Sequence, residues 1–149
     1  MKLEDEIKQT VFKNEYHKMA INIMFTCKWL EHRNAQILKP YNISGQQFNI
    51  FRILRGQHPK CATMTLLQER MMDKMSNASR LVEKLRLKNL VERKEDDSDR
   101  RQVRVTITDK GLNLLSELDK KISDLDNDFA GLTEEEAHIM NELLDKLRH

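Results

Sequence analysis

Leu90-Val91-Glu92-Arg93-Lys94-Glu95-Asp96-Asp97-Ser98-Asp99-Arg100-Arg101-Gln102-Val103-Arg104-Val105-Thr106-Ile107-Thr108 is the stretch whose reading decides the fold. Val103, Val105 and Ile107 alternate with Arg104, Thr106 and Thr108, which is the period of a strand with one buried face, and Val91 opens a second strand. Between them the run from Glu95 to Arg101 is so charged that it is expected to stay in water as a protruding hairpin loop.

Upstream of Leu90 the apolar spacing changes from two to three and four, the helical period. A short helix fits Thr63 to Met72. A longer one fits Lys74 to Lys88, with Met75, Ala78, Val82 and Leu85 as the stripe expected to face the core and Ser76, Asn77, Ser79, Arg80 and Lys84 opposite them. Further out, Ser44-Gly45-Gln46-Gln47 reads as a capping box opening a helix that carries Phe48, Phe51, Ile53 and Leu54 and stops near Gly56 and Pro59. The segment from Glu4 to about Lys39 has no Gly or Pro and reads as one long, bent helix ended by Pro40. Downstream, Thr108 or Asp109 caps a helix bearing Leu112, Leu115, Leu118, Ile122, Leu125 and Phe129. Thr133-Glu134-Glu135-Glu136 then opens a last helix with Met140, Leu143, Leu144 and Leu147. The expected architecture is mainly α, with about six helices and a two-stranded hairpin.

A chain of 149 residues, 39% hydrophobic and 34% charged, is expected to be one soluble globular unit. Met19 to Cys27, nine residues without charge, falls far short of the roughly 20 that span a bilayer. The acidic start Glu4-Asp5-Glu6 does not resemble a secretory signal, and only Cys27 and Cys61 are present, so a cytoplasmic, reduced protein is expected. The net charge of +2 hides an asymmetry: residues 74–108 hold 10 Lys/Arg against 6 Asp/Glu, and residues 109–149 hold 5 against 11. A basic middle suits a polyanionic partner, which the acidic end would repel.

Two short helices followed by a hairpin with a basic tip is the order of a winged helix-turn-helix. Its second helix can enter the major groove, where Asn reads adenine, Arg reads guanine and Ser serves base or backbone. Ser76, Asn77, Ser79, Arg80 and Lys84 are the candidates, with Lys74 beside them. At the hairpin tip Asp99 can hold the Arg101 guanidinium for insertion into a minor groove, while Arg100 takes a phosphate. A winged-helix module that pairs proteins without reading DNA is the rival, and the basic face argues against it. No nucleophile elbow, phosphate loop or zinc-protease motif occurs, so neither enzymatic activity nor a cofactor is expected.

The runs Ala62-Thr63-Met64-Thr65-Leu66-Leu67-Gln68-Glu69-Arg70, Ser79-Arg80-Leu81-Val82-Glu83-Lys84-Leu85, Leu90-Val91-Glu92-Arg93, Asp99-Arg100-Arg101 and Thr106-Ile107-Thr108-Asp109-Lys110-Gly111 closely resemble the MarR family of bacterial transcription regulators. The resemblance implies a homodimer joined by the first and last two helices, bound to a palindromic operator in double-stranded DNA and commonly released by a small ligand. It divides the 1–149 chain into a DNA-binding lobe over 42–110 and helical dimerisation regions over 1–41 and 111–149. It makes Ser76, Asn77, Ser79 and Arg80 recognition-helix contacts, and Asp99 and Arg101 the wing pair. The turn Met71-Met72-Asp73-Lys74 departs from the small, glycine-like residues often found there, which leaves the register of Lys74 and Ser76 open.

In such an architecture a cleft is expected where the first, second and fifth helices meet the DNA-binding lobe, with His17, Trp29, Arg33, Phe48 and Arg52 as candidate lining for a small anionic aromatic effector. By ordinary burial preferences Trp29 and Phe48 read rather as core, and Arg33 and Arg52 rather as surface. Cys27 raises the alternative of a cysteine-based oxidant sensor, although a cysteine on an apolar helical face is usually inert. His58 and Cys61 have the separation of two zinc ligands but lack a second pair, so no metal is expected.

Overall fold

A computed structural model describes residues 1–96, 102–123, 129 and 131–148. Helix α1 (Leu3–Ile7) is followed by α2 (Glu15–Leu38), a 3-10 turn at Lys39–Tyr41, α3 (Gly45–Gln57), strand β1 (Ala62–Thr63), α4 (Met64–Arg70), α5 (Ala78–Leu87), β2 (Val91–Glu95), β3 (Val103–Ile107), α6 (Asp109–Ser123) and α7 (Glu134–Leu147). The hairpin expected from the alternating valines is present, with Val91 opposite Ile107 and Glu95 opposite Val103. A third strand that the sequence did not announce completes it: Ala62 pairs with Val105 and Thr63 with Arg104, antiparallel. Two residues are too few to show a period.

Local chemistry sets the element boundaries. Both expected capping boxes close, Ser44 with Gln47 and Thr133 with Glu136. Thr108 Oγ1 accepts the Gly111 amide at 3.1 Å and opens α6. The single long helix expected from Glu4 to Lys39 is instead two. Lys8 turns into the left-handed region, and the Asn14 side chain accepts the His17 amide to start α2 afresh, so a cap breaks the helix where no Gly or Pro marks it. Helix α6 is described over Asp109–Ser123; Phe129, expected on the same helix, is exposed, and Leu125 lies outside the described residues.

The core is concentrated between Leu38 and Leu118, where Ile50, Phe51, Leu54, Leu67, Val82, Leu85, Val105, Leu115 and Leu118 are fully enclosed. Helix α6 packs against both α2 and α3. Two polar links reinforce it: Tyr41 Oη donates to Glu117 Oε1 at 2.5 Å, and Arg55 forms an ion pair with Asp119. By contrast, α2 buries only Leu38 of its 24 residues and α7 buries none. Among the described residues, no helix is long and apolar enough to cross a membrane.

Candidate nucleic-acid interface

Helix α5 is amphipathic, with Ala78, Val82 and Leu85 buried and Ser79, Arg80, Lys84 and Arg86 outside. It starts at Ala78, four residues later than the sequence predicted. Met75, expected in the core stripe, is 93% exposed because it precedes the helix. The reason lies in the turn. Asp73 Oδ1 accepts the Met75 amide at 3.0 Å and its Oδ2 accepts the Ser76 hydroxyl at 2.6 Å, a local closure that competes with helix. These bonds, the Ser76 hydroxyl foremost, hold the Asp73 carboxyl below its ordinary range.

Gln68 on α4 completes the turn. Its Nε2 donates to the carbonyls of Lys74 and Ser76, both at 3.0 Å, and its Oε1 accepts the Ala78 amide at 3.3 Å. The Asn49 side chain accepts the Met72 amide at 2.9 Å and ties the turn to α3. Sequence reading passed over Gln68 because a glutamine on an exposed helical face carries no signal without the neighbouring backbone.

The predicted contact residues therefore divide. Lys74 Nζ donates to the Glu69 carbonyl at the C-terminal end of α4, where its charge meets the helix dipole. The Ser76 hydroxyl is engaged by Asp73. Asn77 is the N-cap of α5, its Oδ1 accepting the Arg80 amide at 2.9 Å. Ser79, Arg80 and Lys84 project from the exposed face of the helix proper. Arg86 is engaged by Glu83 at 2.7 and 2.9 Å, which lowers the Glu83 carboxyl from its ordinary value, and Arg93 stands 3.9 Å from the same carboxylate. Among the described residues, Arg80 and Lys84 have no ion-pair partner.

The turn that follows α5 fixes the hairpin. Asn89 takes a left-handed conformation, its amide donating to Arg86 O at 2.8 Å and that of Leu90 to Leu85 O at 3.1 Å, the paired bonds of a Schellman stop. Asp96, expected in the solvated loop, is only 4% exposed: Arg104 neutralises it, and its amide donates to Gln102 O at 3.0 Å. Burial of a carboxylate is tolerable with such a partner. Asp99, Arg100 and Arg101, the candidate wing contacts, lie outside the described residues.

The candidate effector residues do not form one group. His17 sits in the first turn of α2, roughly 24 Å along the helix from Arg33, with its Nδ1 accepting the Lys13 amide. Arg33 lies over Trp29 at 5.1 Å, and Arg52 over Phe48 at 5.9 Å, each pair one helical turn apart. Trp29 also lines a cleft of about 190 Å³ with Lys2, Leu3, Glu6, Phe25 and Thr26, which includes none of the other four candidates. Cys27, expected on an apolar face, is exposed, its thiol donating to Glu31 at 3.9 Å. Cys61 Sγ accepts from Arg104 Nη1 at 3.1 Å. Among the described residues, no three His, Cys, Asp or Glu side chains are grouped as a metal site.

A family model of the MarR family matches residues 41–102. A comparison with curated proteins finds no match. Among solved structures, a MarR-like transcription regulator from Bacillus cereus ATCC 10987 is 25% identical, covers 90% of this chain and 96% of its own, and has a TM-score of 0.79. A mutant MarR from E. coli complexed with operator DNA is 23% identical, with 93% and 99% coverage and a TM-score of 0.79. BpsR from Bordetella bronchiseptica, solved in a study of how 6-hydroxynicotinic acid regulates its DNA binding, is 21% identical, with 85% and 89% coverage and a TM-score of 0.74. With a MarR family model matched over residues 41–102 and MarR regulators among its structural neighbours, this chain is similar to that family and has the winged helix-turn-helix fold of MarR transcription regulators.

Proposed function

We propose that the chain is a sequence-specific DNA-binding transcription regulator that acts as a homodimer on a pseudo-palindromic operator. The observation that carries this reading is the outer face of α5, where Ser79, Arg80 and Lys84 stand exposed and, among the described residues, without an ion-pair partner, on a helix whose opposite side is locked into the core. Such a face can enter a major groove, with Arg80 toward guanine and Lys84 toward phosphate. The E. coli MarR bound to operator DNA supports the reading by its shared fold. Dimerisation is supported by α2 and α7, which leave Met24, Ile139, Met140, Leu143 and Leu147 exposed, apolar side chains that a second copy would cover.

Selection from a random DNA pool, followed by footprinting and sedimentation, tests the proposal. The expected result is a two-fold symmetric site with half-site centres about one helical turn apart, bound by a dimer, with affinity falling steeply as salt rises. No enriched sequence, or an asymmetric site bound by a monomer, refutes it.

Repression relieved by a small anionic aromatic compound is the finer part of the same reading. Its structural support is the cleft at Trp29: Leu3, Phe25 and Trp29 are apolar, Lys2 supplies a cation beside the Glu6 carboxylate, and about 190 Å³ is room for one ring, since an apolar cavity of about 150 Å³ holds benzene. BpsR and 6-hydroxynicotinic acid offer a precedent within the shared fold. Calorimetry with salicylate and hydroxynicotinate, on free and DNA-bound protein, should show weaker binding to the DNA complex. Equal affinities refute the coupling.

A further inference from the structure

Met75 is unused by the function proposed above. It lies three residues before the start of α5, 93% exposed, in the lining of a groove of about 610 Å³ that it shares with Thr65, Gln68, Ser76 and Ser79. Its backbone is held firmly: Asp73 accepts its amide, and Gln68 ties down the carbonyls of the residues on either side. An almost fully exposed thioether on so fixed a backbone costs solvation and serves no packing in the free protein. The N-terminal end of a recognition helix is the part that reaches base edges, and the apolar group displayed on the floor of a major groove is the C5-methyl of thymine.

We infer that Met75 is a specificity-determining residue, which reads a thymine C5-methyl in each half-site by apolar contact. The inference rests on the DNA-reading function proposed above and adds the base and the atom recognised. Methyl recognition makes a demand that hydrogen-bond recognition does not: removing the methyl alone, without altering the pairing or the Watson–Crick edge, must weaken binding.

The test uses the full chain and its selected operator, with each thymine replaced in turn by deoxyuridine. The expected result is one position per half-site at which affinity falls about fourfold, the effect of about one buried methyl. Met75→Gln abolishes the difference between thymine and uracil there, and Met75→Leu keeps it. Met72→Ala, which alters a side chain that is 88% exposed but outside the groove lining, leaves the wild-type pattern. If the operator is bound symmetrically and no uracil substitution weakens it, or if Met75→Gln retains the same sensitivity, the Met75 assignment is overturned while the DNA-reading function stands. If no operator is selected at all, the function and the assignment fall together.

Discussion

Replacing Gly111 by alanine should destabilise the protein although alanine is the better helix former. Gly111 lies in the first turn of α6, and a Cβ there would stand 2.3 Å from the Leu90 carbonyl oxygen and 2.8 Å from Ile107 Cγ1. The carbonyl has little freedom to retreat: it accepts the Thr108 amide at 3.2 Å, and Leu90 is itself fastened to Leu85 by the stop of α5. Restoring an ordinary separation needs a movement of about 1 Å in packed backbone, a kind of overpacking that costs about 1–3 kcal/mol. Loss of the Thr108 bond adds about 1 kcal/mol, and the helix preference returns only about 0.5–1 kcal/mol. The net loss is about 1–3 kcal/mol. In urea, at one fixed protein concentration, the midpoint should fall by roughly 1 M with an unchanged slope. A Gly111→Ala variant as stable as the wild type, or more so, would refute the close approach, because propensity and packing predict opposite signs.

Asn77→Ala should cost about 1 kcal/mol of stability by removing the cap of α5, whereas Asn77→Ser should retain most of it; denaturation of both variants separates the cap from any loss in DNA affinity. The bonds that hold the Asp73 carboxyl below its ordinary value near 3.8 stabilise the turn above that pH and are lost as pH falls through the still lower folded value. Asp73→Asn should therefore be less stable than wild type at neutral pH and converge with it in strong acid, and parallel melting curves at the two pH values check this. Deleting Thr133 to His149 removes the exposed stripe of α7, and sedimentation should show a monomer or aggregate with no operator binding. A soluble truncated dimer that still binds would place the interface elsewhere.

What the sequence made legible was whatever a period or a cap announces. The alternation of Val103, Val105 and Ile107 located β3, and the Ser44 and Thr133 boxes opened their helices at the expected residues. The order of elements followed from these. Legibility failed where a side chain bonds locally against the periodic pattern. Met75, Ala78, Val82 and Leu85 satisfy a helical stripe, yet Asp73 and Gln68 hold the first of them out of the helix, and no periodicity argument weighs a turn built by Asp73 two residues away and by Gln68 six and eight residues from the carbonyls it binds. Asp96 was misjudged for the complementary reason: its partner Arg104 is across the hairpin, so charge counted along the chain missed charge cancelled through space. The effector residues fared worst, because the spacing between His17 and Arg33 says nothing of which neighbouring helix covers each.

Helix α6 joins the hairpin root, α3, the 3-10 turn and α2. Its first turn is pressed against the hairpin root through Gly111, its middle is tied to α3 by Arg55 and to the 3-10 turn by Tyr41, and it packs along α2. Its 15 residues make a rod of about 22 Å. A rod of that length clamped at its middle is a lever: tilting it by about 5° about that middle moves each end by about 1 Å, within the scale on which packed helices shift. The two polar clamps hold that pivot, one to α3 and one to the 3-10 turn, between α2 and the hairpin root. Loosening either one would change how far a disturbance at α2 is carried, without altering any residue of α5.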